Sequence, residues 1–214
     1  MSFVNFRAGL AGLSPAYFGM VMATGIVSIA AHLLGFAWLA RSLYALNCAF
    51  YVALWILYLL RLWWHPRAFF QDLFDHLRGP GYFTSIAASG VLGSQTIVLY
   101  GWLSAAFALW CVAIALWLVL TYAIFTILTV KESKPSLDRG INGGWLLAVV
   151  ATQSIAVLSA LLAARIGQPH KLALNFFALS MWLWGGMLYI WMMSLIFYRY
   201  TFFSFQPGDL SPPY

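Results

Sequence analysis

The sequence predicts an all-α integral membrane protein in which six transmembrane helices form three repeated hairpins. Three observations carry that reading. Of 214 residues, 64% are hydrophobic and only 7% are charged, where a soluble domain carries roughly 25% charged residues. Six apolar stretches, at about 16–36, 43–64, 81–101, 106–129, 144–164 and 173–197, are each long enough to cross, since about 21 residues at ~1.5 Å rise cover the ~30 Å hydrocarbon core. The chain also repeats itself: PAYFGMVMATGIV from Pro15 aligns without gaps on PGYFTSIAASGVL from Pro80, and GGWLLAVVATQSI from Gly143 is a weaker third copy.

The first stretch opens on LSPAY, Leu13 to Tyr17. Proline suits the first turn of a helix, where its missing N–H would have no partner anyway. The stretch is too long for a signal-peptide core and no small-residue cleavage site follows it, so the crossing is retained. The second stretch holds Cys48 and the fourth Cys111, which read as free apolar thiols. Between the second and third lies HPRAFFQDLFDHLRGP, His65 to Pro80. Its Phe69, Phe70, Leu73, Phe74 and Leu77 recur at helical spacing between charges, which predicts a short amphipathic helix lying on the membrane surface. Asp72, Asp75 and His76 are candidate metal ligands there, but a solvated polar face is the commoner fate of such a cluster, and no metal is assigned.

The third stretch is the second copy. It matches the first at Pro15/Pro80, Tyr17/Tyr82, Phe18/Phe83, Ala23/Ala88, Thr24/Ser89 and Gly25/Gly90. The fifth keeps Ala151 and Thr152 in register and puts Trp145 where the tyrosines stand. The repeat is thus one hairpin, offset by 65 and then 63 residues. A single transmembrane domain over 1–214 holds hairpins at 15–64, 80–129 and 143–199. The final LSPPY, Leu210 to Tyr214, echoes Leu13 to Tyr17 and is expected to open a fourth hairpin that is cut off.

The two helices of a hairpin differ in composition. Gly, Ala, Ser and Thr supply 30 of 63 residues in the odd stretches but 17 of 71 in the even ones, while aromatic residues number 7 and 19. Small residues permit close backbone approach, and bulky rings suit lipid contact and the interfacial belts. The odd helices are therefore expected inside and the even helices outside. Each copy contains two crossings, so all copies enter the membrane in one direction, around an axis along its normal.

The net charge of +6 does not indicate nucleic acid, because the basic residues stand singly at helix ends. Arg7, Arg61, Arg67, Arg78, Lys131, Lys134, Arg139 and Arg199 fall on the side of the amino terminus, against Arg41, Arg165 and Lys171 opposite. That excess places the amino terminus in the cytoplasm of a plasma membrane, the inner membrane in a bacterium. All five acidic residues, Asp72, Asp75, Glu132, Asp138 and Asp209, lie in connectors or the tail. Proton relays and cation paths need ionisable groups at membrane depth, and no HExxH or Ser/His/Asp constellation is present. An enzyme is therefore not expected, nor is a cofactor.

What remains is a polar, uncharged wall. Thr24, Ser89 and Thr152 recur at one position of the repeat, and Gly19, Gly25, Ser28, Thr84, Gly90 and Gln153 extend the candidate path. Helix amino ends carry positive potential, and Arg78 and Arg139 stand just before two of them. An anion would be favoured at that mouth and passed along hydroxyls and amides without a fixed charge to trap it. Against this, Ser and Thr in membrane helices commonly bond their own i−4 carbonyls or join neighbouring helices. Phe18 and Phe83 have two readings, a pore constriction or simple packing.

The blocks LSPAYFGMVMATGIVSIA, RGPGYFTSIAASGVLGSQ and NGGWLLAVVATQSIAVL closely resemble the tellurite-resistance/C4-dicarboxylate transporter family, which includes the fungal malic acid transporter and the plant slow anion channels. The resemblance implies a five-hairpin ring with odd helices around a central pore and even helices outside, and a trimer. It implies transport of small anions such as C4-dicarboxylate, tellurite, sulfite, nitrate or chloride, by channel or carrier. The phenylalanine that closes the pore in the channel members lies on a ninth helix and has no counterpart in six. The alternative expectation is a truncated, non-transporting membrane scaffold or assembly subunit.

Overall fold

The computed structural model describes residues 3–204, and Leu210–Tyr214, expected to open a fourth hairpin, lie outside the described residues. The described chain is helical throughout: α1 (Phe3–Ala11), α2 (Gly19–Leu33), α3 (Ala37–Trp64), α4 (Pro66–Leu73), α5 (Phe83–Tyr100), α6 (Leu103–Val130), α7 (Leu137–Gly140), α8 (Leu146–Ala163) and α9 (His170–Phe202). Six of these segments are long and apolar enough to span a membrane. Short 3-10 turns at Pro15–Phe18, Gly79–Tyr82 and Gly143–Trp145 feed α2, α5 and α8 at equivalent places in the repeat. The odd spans are thus α2, α5 and α8, and the even spans α3, α6 and α9.

Local chemistry explains the boundaries. Ser14 accepts from the N–H of Ala16 (3.3 Å) and Asn142 from that of Gly144 (2.8 Å), capping the first and third turns. Gly35 (φ 86°) turns the chain between α2 and α3, and Gly101 (φ 66°) does so between α5 and α6, a left-handed conformation that glycine adopts without strain. These tips are short, so each pair folds back as an antiparallel hairpin. The even helices overrun their apolar stretches. α3 begins at Ala37 and α9 at His170, which brings Arg41 and Lys171 inside helices, where long stems let the charges reach the interface.

Consecutive odd helices pack on one another, α2 on α5 and α5 on α8. Each even helix packs behind its own odd partner, and α3 and α6 also lean on the odd helix of the next hairpin. As a result α5 is 83% buried across its membrane window, whereas α3 and α6 are each 17% buried. The small-residue composition of α5 permits this. A Cβ on Gly90 would lie 2.6 Å from Ser154 Oγ and 3.1 Å from its carbonyl carbon, and one on Gly25 2.6 Å from Val91 Cγ1. Only hydrogen at those positions lets the helices meet.

The junctions between hairpins carry a repeated clasp. Tyr44 and Tyr51 of α3 meet Thr96 and Ser89 of α5, at 3.2 and 2.8 Å. Trp110 and Trp117 of α6 meet Ser159 and Thr152 of α8, at 2.7 and 2.9 Å. In every case the hydroxyl proton is already given to a backbone carbonyl four residues earlier: Leu92, Ser85, Ile155 and Ala148 respectively. The oxygen is left to accept, so the aromatic O–H or N–H donates. Both members of each clasp are spaced by seven residues, two helical turns, so one face of each helix supplies both.

Each clasp bond is expected to contribute about 0.5–1.5 kcal/mol. Tyr51→Phe and Trp117→Phe should therefore each lower stability by about 1 kcal/mol in detergent micelles. The Tyr51→Phe/Ser89→Ala cycle should show coupling of similar size, and strict additivity in thermal unfolding would contradict the clasp.

Candidate functional site

The amino-terminal turns of the three odd helices converge. The turn at Pro15–Phe18 touches that at Gly79–Tyr82, which touches that at Gly143–Trp145. Gly81 makes the first contact possible, since a Cβ there would lie 3.1 Å from the Ala16 nitrogen and from Pro15 Cβ. Thr84 adds a tie, its hydroxyl lying 3.1 Å from the Pro15 carbonyl. Between the turns is a hollow of about 150 Å³, whose polar lining comes from Ser14, Arg78 and Asn142. Three parallel helices thus aim their positive ends at one small pocket, with a guanidinium at its edge.

A buried ion cluster fixes that guanidinium. Asp72 Oδ2 is 2.5 Å from Arg61 Nη2, and Asp72 Oδ1 is 3.1 Å from Arg78 Nη1. Arg61 is fully buried at the end of α3, where its Nη2 also donates to the Ala11 carbonyl (3.1 Å). Tyr58 donates to the Ser14 carbonyl and Tyr82 to that of Phe69 (2.9 Å), binding the same corner together. Two guanidiniums share one carboxylate, so the cluster keeps a positive charge, and Arg78, with 45% of its side chain exposed, presents it to the pocket.

This corrects the reading of the connector. Asp72 does not belong to a solvated polar face. It is buried on the inner side of α4, against Arg61, and α4 covers only Pro66–Leu73 of the expected amphipathic stretch, while Phe70, Phe74 and Leu77 remain exposed. Asp75 spends one oxygen on the N–H groups of Leu77 and Arg78 (2.8 and 2.9 Å). No group of three His, Cys, Asp or Glu side chains suited to a metal occurs among the described residues. Partial burial first, and then the Lys131 ammonium, hold the His76 imidazole below its ordinary value.

The residues expected along a path have varied surroundings. Arg78 lines the hollow, whereas Arg139 does not, its side chain being 84% exposed and 4.0 Å from Asp138. Ser89 and Thr152 are fully buried in the clasps. Ser28 donates to the Ala40 carbonyl (2.7 Å) and Thr84 to that of Gly81 (2.7 Å). Gln153 donates to the Trp182 carbonyl of its own hairpin (3.1 Å). Gly25 and Gly90 serve the close crossings described above. Gly19 and Thr24 are half-buried, and a Cβ on Gly19 would meet nothing within 4 Å. Phe18 packs against Tyr51, Trp55 and Tyr58 of α3, and Phe83 against Phe125 of α6.

Removing the Asp72 charge alone should be costly, since an uncompensated buried guanidinium is worth about 3–5 kcal/mol. Asp72→Asn is expected to lower the unfolding midpoint sharply, and the apolar pair Arg61→Met/Asp72→Leu to recover most of the loss. Equal stability of Asp72→Asn and the unaltered protein would refute the buried cluster.

Comparison with known proteins adds one finding. A family model described as voltage-dependent anion channel matches residues 12–214. No curated protein and no solved structure matches significantly.

Proposed function

The chain belongs to the voltage-dependent anion channel family, whose members are membrane channels and transporters of anions, and on that premise we propose that anions enter at the hollow edged by Ser14, Arg78 and Asn142. The observation that carries this reading is the convergence of three helix amino ends on one pocket with a fastened guanidinium. Positive potential from helix ends and from Arg78 raises the local anion concentration without burying a charge in the membrane centre. The basic face is the cytoplasmic one in this reading, and the membrane is the plasma membrane. A small oxyanion, halide or C4-dicarboxylate is the substrate class, and the working assembly is a homo-oligomer, a trimer by family resemblance.

Beyond the mouth, the proposed path follows the odd helices. Ser28, Thr84, Ser89 and Thr152 give their protons to backbone carbonyls, so their contribution to a passing anion is to hold the helices that shape the path. Gly19 and Thr24 are the half-buried path candidates, and Gly19 has open space beside it. A second reading, a non-transporting scaffold, is favoured by one observation: most of the expected path residues are engaged in helix packing.

Flux from proteoliposomes separates the two readings. Chloride, sulfite and malate are expected to leave protein-containing vesicles faster than empty ones, with potassium held back. Arg78→Gln should slow anion exit by about tenfold at low ionic strength and by less at high salt. No anion flux would favour the scaffold, and potassium flux of equal size would refute an anion path.

A further inference from the structure

Three aromatic pairs bridge the even helices α6 and α9. Trp110 meets Phe177 (ring centroids 5.6 Å apart), Trp117 meets Trp184 (6.0 Å) and Phe125 meets Trp191 (6.3 Å). On α9 these residues recur every seven positions, so they form one stripe. The rings span a furrow, which opens into a hollow at each end. One hollow is bordered by Phe107, Trp110, Leu174 and Phe177. The other, of about 440 Å³, is bordered by Phe125, Leu128, Trp191 and Leu195.

The two ends differ in charge. The first hollow has His170 on its rim and no other ionisable side chain. The second runs on to Lys134 and His76. Lys131 is anchored beside them, its ammonium 3.0 Å from the Phe74 carbonyl. Burial first, and then the field of Lys131, lower the basicity of His76, with Lys134 adding to them and Asp75 opposing. Glu132 is exposed on the same connector, and Asp138 is drawn toward Ser136 and Arg139. The second hollow is lined mainly by apolar side chains, while its basic end offers ammonium donors just beyond the last turn of α6. An inorganic ion would use the second feature and leave the first unexplained.

We propose that the furrow between α6 and α9 seats an anionic phospholipid, with an acyl chain against Phe125, Leu128, Trp191 and Leu195 and the phosphate against Lys134, Lys131 and His76. A lipid-facing furrow fills with hydrocarbon in any bilayer, so the chain alone gives little selectivity. The ammonium groups supply it, since each lysine near an anionic headgroup changes retention by roughly fivefold.

The test uses the whole chain in phosphatidylcholine nanodiscs with added phosphatidylglycerol, native mass spectrometry counting the lipids that remain bound. Phosphatidylglycerol is expected to be retained over phosphatidylcholine, and Lys131→Ala/Lys134→Ala to reduce that preference by about tenfold or more. An Arg165→Ala/Lys171→Ala control at the opposite end should leave it unchanged. Phosphatidylglycerol brominated on its acyl chain should quench tryptophan fluorescence in the unaltered protein more than in Trp191→Phe. Undiminished preference in the double lysine variant, an equal loss in the control, or full displacement by inorganic phosphate would each overturn the proposal.

Discussion

The close embrace of α5 by α2, α3, α6 and α8 is the constraint on which the rest of the structure depends. A helix touched on so many sides cannot carry large side chains all round, and α5 answers with Ser, Ala, Gly or Thr at half of its positions. Because lipid tails are as apolar as leucine, nothing like the hydrophobic effect drives these helices together. Close contact and hydrogen bonding must do so. That explains why the hydroxyl groups are concentrated on the odd helices, and why almost all of them have a carbonyl or an aromatic donor within reach.

From that packing follows the geometry of the hollow between the three first turns. Side-by-side odd helices bring their first turns together, and Gly81 lets its backbone approach that of Pro15 and Ala16 where a side chain would hold them apart. The ion cluster then acts at the edge. Arg61 is carried in by α3, Asp72 by α4 and Arg78 by the segment leading into α5, so one carboxylate ties three parts of the chain to one point. A pair buried this deeply adds little net stability compared with an apolar substitute. Its evident consequence here is positional, because it holds a charged side chain beside the helix ends.

Much of this was legible in the sequence, and the parts that were not have physical reasons. The spans and the odd-helix repeat could be read because the small-residue positions tolerate few substitutions, so copies still resemble one another at Pro15/Pro80 and Gly25/Gly90. The clasps were hidden because their donors stand on even helices whose sequences do not visibly repeat. A signal was present: Tyr44/Tyr51 and Trp110/Trp117 share the seven-residue interval of Ser89/Thr96 and Thr152/Ser159. Amphipathic spacing describes one helix in isolation, and so it assigns Asp72 to a solvated face. Its burial depends on how α4 folds back beneath Arg61, and no local pattern encodes that path.

The clasp also has a direction along the chain. Its donors are always on the earlier hairpin and its acceptors on the later one. In chain order Tyr44 and Tyr51 precede Thr96 and Ser89, and Trp110 and Trp117 likewise precede Ser159 and Thr152. Each hairpin therefore depends on its successor to answer its aromatic donors. Insertion in chain order would let each new pair of helices complete the one before it.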